Sequence, residues 1–279
     1  MQSLAGKVTV VTGASRGAGR GIASVLGEAG ATVYVTGRSV RGSLTQPDLP
    51  GTTIEETAKL VTARGGLGIP VRVDHTVDAE IASLFERVGS DYGQLDLLVN
   101  NAWGGYEDYL QRGGHKSFDA VFWEQPIDRW DKMWTAGVRA TLATTKAALP
   151  LMFSQRQGVI INTTLEIDPT FYDAALYYRT AKLAINYLTF GMAHDIYQRG
   201  GYPIAVIGLA MGWMRTEAVL ENFRQGLDPT ERLKETDSAE YGGRAVLALA
   251  TDPNVLQKTG KVFRVRDLAQ EYGFEDVEQ

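Results

Sequence analysis

The chain has 279 residues, 44% of them hydrophobic and 22% charged, which suits one α/β domain with an ample core. A formal net charge of −5 leaves no basic excess to neutralise phosphates, so a nucleic-acid partner is not expected. The absence of cysteine excludes disulfides, thiolate catalysis and cysteine metal sites, and suits a reducing cytoplasm.

Along the chain, short apolar runs alternate with longer amphipathic stretches, the pattern of βαβ units around a parallel sheet. The start, Met1 to Lys7, lacks a basic region followed by a long apolar core, so no signal peptide is expected. Val8–Val11 predicts the first strand, and the turn Thr12-Gly13-Ala14-Ser15-Arg16-Gly17-Ala18-Gly19 follows it. The stretch Arg20–Ala29 reads as a helix. Strand, Gly-rich turn and helix open a dinucleotide-binding unit. The glycines permit a tight turn and close backbone approach to a pyrophosphate, and the helix start offers free N–H groups. An ordinary Gly-rich turn is the plainer alternative.

Thr32–Thr36 predicts the second strand. No acidic residue follows it to meet a ribose 2′-hydroxyl. Arg38 follows instead, and Arg16 sits in the Gly-rich turn, a pair suited to a 2′-phosphate, with Ser15 and Ser39 as further hydrogen-bonding groups. Ser39–Thr53 reads as a loop. Gly68–Val73 and Leu95–Asn100 predict the third and fourth strands, followed by Asp74-His75 and Asn101-Ala102 respectively.

The segment Trp103–Pro126 reads as an irregular loop on the carboxyl side of the sheet, where ligands bind in open α/β folds. Its rings at Trp103, Tyr106, Tyr109, Phe118, Phe122 and Trp123 either line a pocket or pack as core or subunit interface; for any single ring the second reading is favoured. Glu107-Asp108 and Glu166-Ile167-Asp168 are acidic groups near the expected cleft, read as solvated loop charge ahead of a second acid/base.

Gly158–Thr163, Ile204–Gly208 and Lys261–Val265 predict the remaining strands, and Asp173–Tyr197 the clearest helix, with Leu176, Ala184, Leu188 and Met192 on its apolar face. Tyr178 and Lys182 are four residues apart on it and share a face. An ammonium beside a phenol favours the phenolate and lowers its pKa toward working pH, where a general acid/base is most effective. Tyr177 is the neighbouring alternative. His75, His115 and His194 show no metal-ligand spacing, so no metal is expected. No apolar stretch is long enough to span a bilayer, and the expected compartment is the cytoplasm.

The spacing Gly13-x-x-x-Gly17-x-Gly19, Asp74 after the third strand, Leu98-Val99-Asn100-Asn101-Ala102, Tyr178-x-x-x-Lys182, and Gly212 with Thr216 together resemble the short-chain dehydrogenase/reductase family. The resemblance runs from about Leu4 to Val265, and the tail Leu247–Leu256 resembles one branch of that family more closely. It implies a single dinucleotide-binding and catalytic domain over residues 1–279, a Rossmann-type doubly wound parallel sheet of about seven strands with helices on both faces.

The resemblance further implies that Gly13, Ser15, Arg16, Gly17, Ala18, Gly19, Arg38 and Ser39 hold NADP(H). Asp74, His75, Asn101, Ala102, Gly212 and Thr216 would complete its site, Asp74 at the adenine and His75 flanking the cofactor or solvent. Tyr178 would exchange a proton with a carbonyl or alcohol, and Lys182 would also bind the nicotinamide ribose.

The family's pattern is broken at four places. Leu165 stands where a serine is expected, with Thr164 or Glu166 as the nearest stand-in. Gly137 stands for an asparagine, Trp103 for a glycine, and Met211 for a proline. The expected activity is an NADP(H)-dependent carbonyl reductase or alcohol dehydrogenase acting on a small or medium apolar molecule. A non-redox isomerase, dehydratase or cyclase, or a weakly catalytic NADP(H)-binding protein, are the alternatives. A homodimer or homotetramer is expected, built on the helices before Pro150 and after Asp173.

Overall fold

The computed structural model describes residues 3–277 apart from 169, 171, 173, 228 and 229, and the backbone alone at 115. Seven strands form one sheet: β1 (Val8–Val11), β2 (Thr32–Gly37), β3 (Leu67–Arg72), β4 (Leu97–Asn100), β5 (Gly158–Thr164), β6 (Ile204–Ala210) and β7 (Val262–Arg264). Their order is β3-β2-β1-β4-β5-β6-β7, and every pairing is parallel. All seven lie where the apolar runs predict them. Pro70 sits in β3, at the sheet edge, where a missing N–H breaks no ladder.

The alternation of side chains along each strand divides the core in two. Val11, Val33, Val35, Leu97, Val99, Ile161 and Ile207 face a layer of helices α1 (Gly17–Glu28), α2 (Ile54–Ala63), α9 (Ala239–Thr251) and α10 (Val265–Tyr272). Val8, Val10, Leu98, Ile160, Ile204 and Val206 face α3 (Asp78–Tyr92), α6 (Ala140–Gln155) and α7 (Leu176–Ala193) on the other side. Central strands buried on both faces explain their unbroken apolar sequence.

A third, smaller cluster sits beyond the carboxyl ends of the strands. It joins Tyr109 and Phe118 of the loop after β4 to Met133 of α5 (Ile127–Met133) and to Tyr177, Ala181 and Ile185 of α7. That loop is less irregular than expected: α4 (His115–Phe118) interrupts it, and buried Arg129 donates to Ser117 O at 2.7 Å. The main chain of α7 begins at Leu176; Asp173, the expected start, lies outside the described residues. Ala175 ahead of it takes a left-handed φ of 60°, unusual for a residue with a Cβ. The remaining helix, α8 (Glu217–Arg224), starts from Thr216, whose Oγ1 accepts from Val219 N at 3.3 Å. No helix among the described residues is long and apolar enough to cross a membrane.

Candidate active site

Strand order reverses direction between β1 and β4, and the loops that leave these strands part in opposite directions. A crevice must open there, at the carboxyl ends. It is a cavity of about 760 Å³ walled by the turns after β1, β2, β3, β4, β5 and β6.

The Gly-rich turn is tied across the crevice floor. Thr12 Oγ1 accepts from Asn101 N at 2.8 Å and Ala102 N at 2.9 Å, and Asn101 Nδ2 donates to Thr12 O at 2.9 Å and Gly13 O at 3.1 Å. Gly13 has a φ of 62°, and a Cβ there would stand 2.7 Å from Ala102 Cα, so only glycine fits. Gly19 is packed beneath the turn against Gly13 and Asn101, and the cavity lining passes through Gly13, Gly17 and Ala18 above it.

Two carboxylates occupy donors on this wall: Glu217, which sequence reasoning missed, and Glu107, which it read as solvated loop charge ahead of a second acid/base. Glu217 accepts from Gly17 N at 2.7 Å and pairs with Arg20 at 3.1 Å, so a negative oxygen already sits on the open start of α1. Glu107 pairs with Arg38 at 2.8 Å and accepts from Gly105 N at 2.8 Å. Burial would raise its pKa, but Arg38 and the amide hold it below the usual carboxylate value. The expectation of solvated charge fails for Glu107. Asp108, beside it, pairs with Arg112. Arg16 extends alongside, donating to Ser39 Oγ at 3.1 Å and Thr45 Oγ1 at 3.0 Å. Arg16, Arg38, Ser15 and Ser39 thus share one corner of the cavity with Glu107.

Asp74 lines the same wall and is held below its usual pKa by Thr76, against the opposing effect of burial. His75 differs from expectation. Its backbone position reaches the cavity, but its ring is buried, with Nε2 2.8 Å from Thr36 Oγ1 and Nδ1 3.1 Å from Thr144 Oγ1. Burial lowers its pKa to about 4. It joins β2 to α6 as a neutral ring.

On the opposite wall α7 carries Tyr178 and Lys182 into the cavity on one face. Lys182 Nζ donates to Thr163 O at 3.1 Å and lies 4.0 Å from the centre of the Trp103 ring and 5.5 Å from that of Tyr178. Burial lowers the ammonium's pKa to about 7 and raises the phenol's to about 12. The sequence argument expected a lowered phenol. Desolvation wins because Trp103 and Phe118 close over Tyr178 edge-on, with ring centres at 5.4 and 5.5 Å. Tyr177 points away: its hydroxyl donates to Phe122 O at 3.1 Å.

A family model described as short chain dehydrogenase matches residues 7–226. The chain belongs to the short-chain dehydrogenase family. It is 35% identical over 98% of its length to dehydrogenase/reductase SDR family member 1 of Mus musculus, and 34% identical over 98% to the Homo sapiens protein of that name, covering 84% of each. A short chain dehydrogenase from Mycobacterium thermoresistibile superposes with a TM-score of 0.79 at 26% identity, covering 98% of this chain and 89% of that one. A hydroxysteroid dehydrogenase from Escherichia coli, at 24% identity and a TM-score of 0.71, covers 94% of this chain and 96% of its own and shares the fold.

Within this short-chain dehydrogenase, Asn101, Ala102, Gly212 and Thr216 line the crevice with Gly13, Gly17 and Ala18. The hydroxyls and the carboxylate that flank Leu165 are each engaged elsewhere. Thr164 lies in the cavity wall, but its hydroxyl sits 3.1 Å from Lys182 O and 2.5 Å from Asn186 Oδ1, so its proton is engaged within α7. Thr163 turns to Asn100 O at 3.3 Å. Glu166 is exposed beside Arg264, 3.5 Å away, outside the cavity. Leu165 itself faces the cavity, and makes that wall apolar. Of the loop rings, Trp103, Tyr106, Tyr109 and Phe118 line the cavity, whereas Phe122 and Trp123 are 50% and 71% exposed.

His75 supplies a stability test. Its folded pKa lies below its ordinary value of 6.5, so the unfolded chain binds the proton first as pH falls. Stability is present above pH 6.5 and is lost down to about pH 4, at about 1.4 kcal/mol per unit inside that window. Urea unfolding of wild type and His75→Gln between these limits should show a shallower slope in the variant. Identical slopes would remove the buried ring as the cause.

Proposed function

We propose that this short-chain dehydrogenase is an NADP(H)-dependent carbonyl reductase or alcohol dehydrogenase for a small or medium apolar substrate. The observation that carries the cofactor choice is Arg38 beside Arg16 and Ser39 at the end of β2, with its guanidinium already holding a carboxylate in the cavity. Guanidinium groups that grip a carboxylate grip a phosphate by the same geometry. Family membership implies a nicotinamide cofactor, and the donors present fit one. Gly17 N at the α1 start would meet the pyrophosphate, displacing Glu217, with Thr216 beside it. Arg16, Arg38 and Ser39 would meet the 2′-phosphate, displacing Glu107. Asp74 would meet the adenine, and Lys182 the ribose. Asn101, Ala102 and Gly212 would wall the remainder, while His75 serves from behind the wall.

Bound there, the nicotinamide supplies or accepts the hydride. The residues of the chain do the rest. Tyr178, with its pKa raised to about 12, remains a protonated donor through the neutral range, which suits delivery of a proton to a carbonyl oxygen. Trp103, Tyr106, Phe118 and Leu165 exclude water and favour an apolar substrate. A non-redox enzyme would use Tyr178 for proton transfer, with Glu166 as a further acid/base, and the surface place of Glu166 leaves it without that second group in the cavity. Leu142 on α6 and Leu183, Tyr187 and Phe190 on α7 are exposed apolar side chains, which supports a homodimer or homotetramer built on these helices. We place the protein in the cytoplasm.

Arg38→Ala is expected to weaken NADPH binding about tenfold while sparing NADH, since a charge-assisted contact is worth about 1.5–3 kcal/mol and here replaces an existing pair. Glu107→Gln should tighten NADPH. Titration of both cofactors decides this, and equal losses for the two in Arg38→Ala would refute the 2′-phosphate assignment.

Tyr178→Phe should lower ketone reduction by about a hundredfold or more at unchanged NADPH affinity. Thr164→Val should leave turnover within a few-fold, because its hydroxyl is engaged in α7. Steady-state NADPH oxidation with a carbonyl panel measures both; an active Tyr178→Phe enzyme would end the proton-donor reading.

A further inference from the structure

Lys182 is buried, and among the described residues no carboxylate pairs with it. One carbonyl, Thr163 O, accepts from its Nζ. Two ring faces are also in reach, that of Tyr178 with its centre 5.5 Å from Nζ and, nearer, that of Trp103 at 4.0 Å. That ring is itself seated by a vacancy. It rests on Gly137, in the wide-turn helical stretch Trp134–Arg139, and a Cβ at that glycine would stand 2.4 Å from Trp103 Cζ3 and 2.7 Å from Cε3. The indole is not held by its polar edge, since Nε1 is buried without a hydrogen-bond partner. What it offers the site is its face.

We infer that Trp103 is a positioning residue whose π face keeps Lys182 charged and fixed beside Tyr178, and that Gly137 exists to admit that ring. The lysine sits where water is excluded, and its shift arises from burial alone, so the negative face of an aromatic ring is a main counterweight to lost hydration. The titratable groups around it are Tyr178 on its own helix and Tyr106 on the loop after β4, both with pKa values raised by burial and so neutral. Arg179 turns its Nε to Ala174 O. Among the described residues no carboxylate is paired with the ammonium in competition with the ring. Trp103 also meets Tyr178 edge-on at 76°, so one side chain fixes both members of the pair. Its place follows from two departures that look unrelated in the sequence, a bulky residue at 103 and a missing side chain at 137.

The test reads Lys182 directly, by NMR titration of the cofactor-free full chain carrying isotope-labelled lysine, with the signal assigned by Lys182→Arg. Trp103→Met fills the space without a π face and is expected to lower the Lys182 pKa by about one unit, a tenfold change in its protonation equilibrium. Trp103→Phe should keep most of the wild-type value. Gly137→Ala, which evicts the indole, should lower it as Trp103→Met does, whereas Gly191→Ala, which meets nothing within 4 Å, should not move it. If Trp103→Met does not fold, Gly137→Ala and Trp103→Phe still decide. A Lys182 titration unmoved by removal or eviction of the ring overturns the inference. The kinetic arm rests on the reductase reading: the alkaline limb of kcat/KM should shift down with the Lys182 pKa, while a purely structural defect would lower the rate at every pH. Because the titration needs neither cofactor nor substrate, its result stands whether or not that reading survives.

Discussion

The structure depends on one tie across the sheet's turning point. Thr12 follows β1, and its hydroxyl oxygen accepts from the two amides that follow β4. β1 and β4 are hydrogen-bonded neighbours whose chains then leave in opposite directions, so their ends would splay without such a link. The tie is tight enough that Gly13 has no room for a Cβ, and it sets the spacing between the Gly-rich turn and the loop that carries Trp103. A buried amide ladder extends it: Asn100 donates to Asn162 at 2.8 Å, and Asn162 to Thr189 on α7 at 2.9 Å. The helix bearing Tyr178 and Lys182 is therefore registered to the cofactor side through polar contacts in a dry core, where an unmade hydrogen bond is costly.

That dryness governs the chemistry. Tyr178 and Lys182 each prefer their neutral forms when buried, and in opposite directions of pKa. On the proposed reductase reading, a neutral phenol is the useful form for protonating a carbonyl oxygen, and a charged lysine the useful form beside a ribose. Burial thus helps one partner and opposes the other. The Trp103 face and the Thr163 carbonyl offset the second effect, and they do so without a carboxylate that would itself compete for the proton.

The wall that carries Arg38 and the start of α1 shows the same economy with charge. Glu217 and Glu107 occupy the two places most attractive to phosphate, the α1 start and Arg38. They satisfy half-buried donors, and any anionic ligand at these places must outcompete them. Neither belongs to a strand: Glu107 lies in the loop after β4 and Glu217 at the first position of α8, so exchanging either contact breaks no sheet pairing.

Much of this was legible in the sequence because it depends on local rules. Strand periodicity located all seven strands, the Gly-rich turn marked the crevice, and the spacing of Tyr178 and Lys182 fixed their shared face. What the sequence could not decide were matters of direction and neighbourhood. Asp74 and His75 are adjacent, yet one lines the cavity with its carboxyl and the other turns its ring inward to Thr36 and Thr144. Thr164 stands within one residue of the serine's place, yet the strand's alternation and Asn186 draw its hydroxyl into α7. Glu107 and Glu217 gave no motif, because their partners lie 69 and 200 residues away. Trp103 and Gly137 read as two separate losses until packing joined them. Local backbone preference is written along the chain; the burial that sets a pKa, and the contact that fills a vacancy, arise only when distant segments meet.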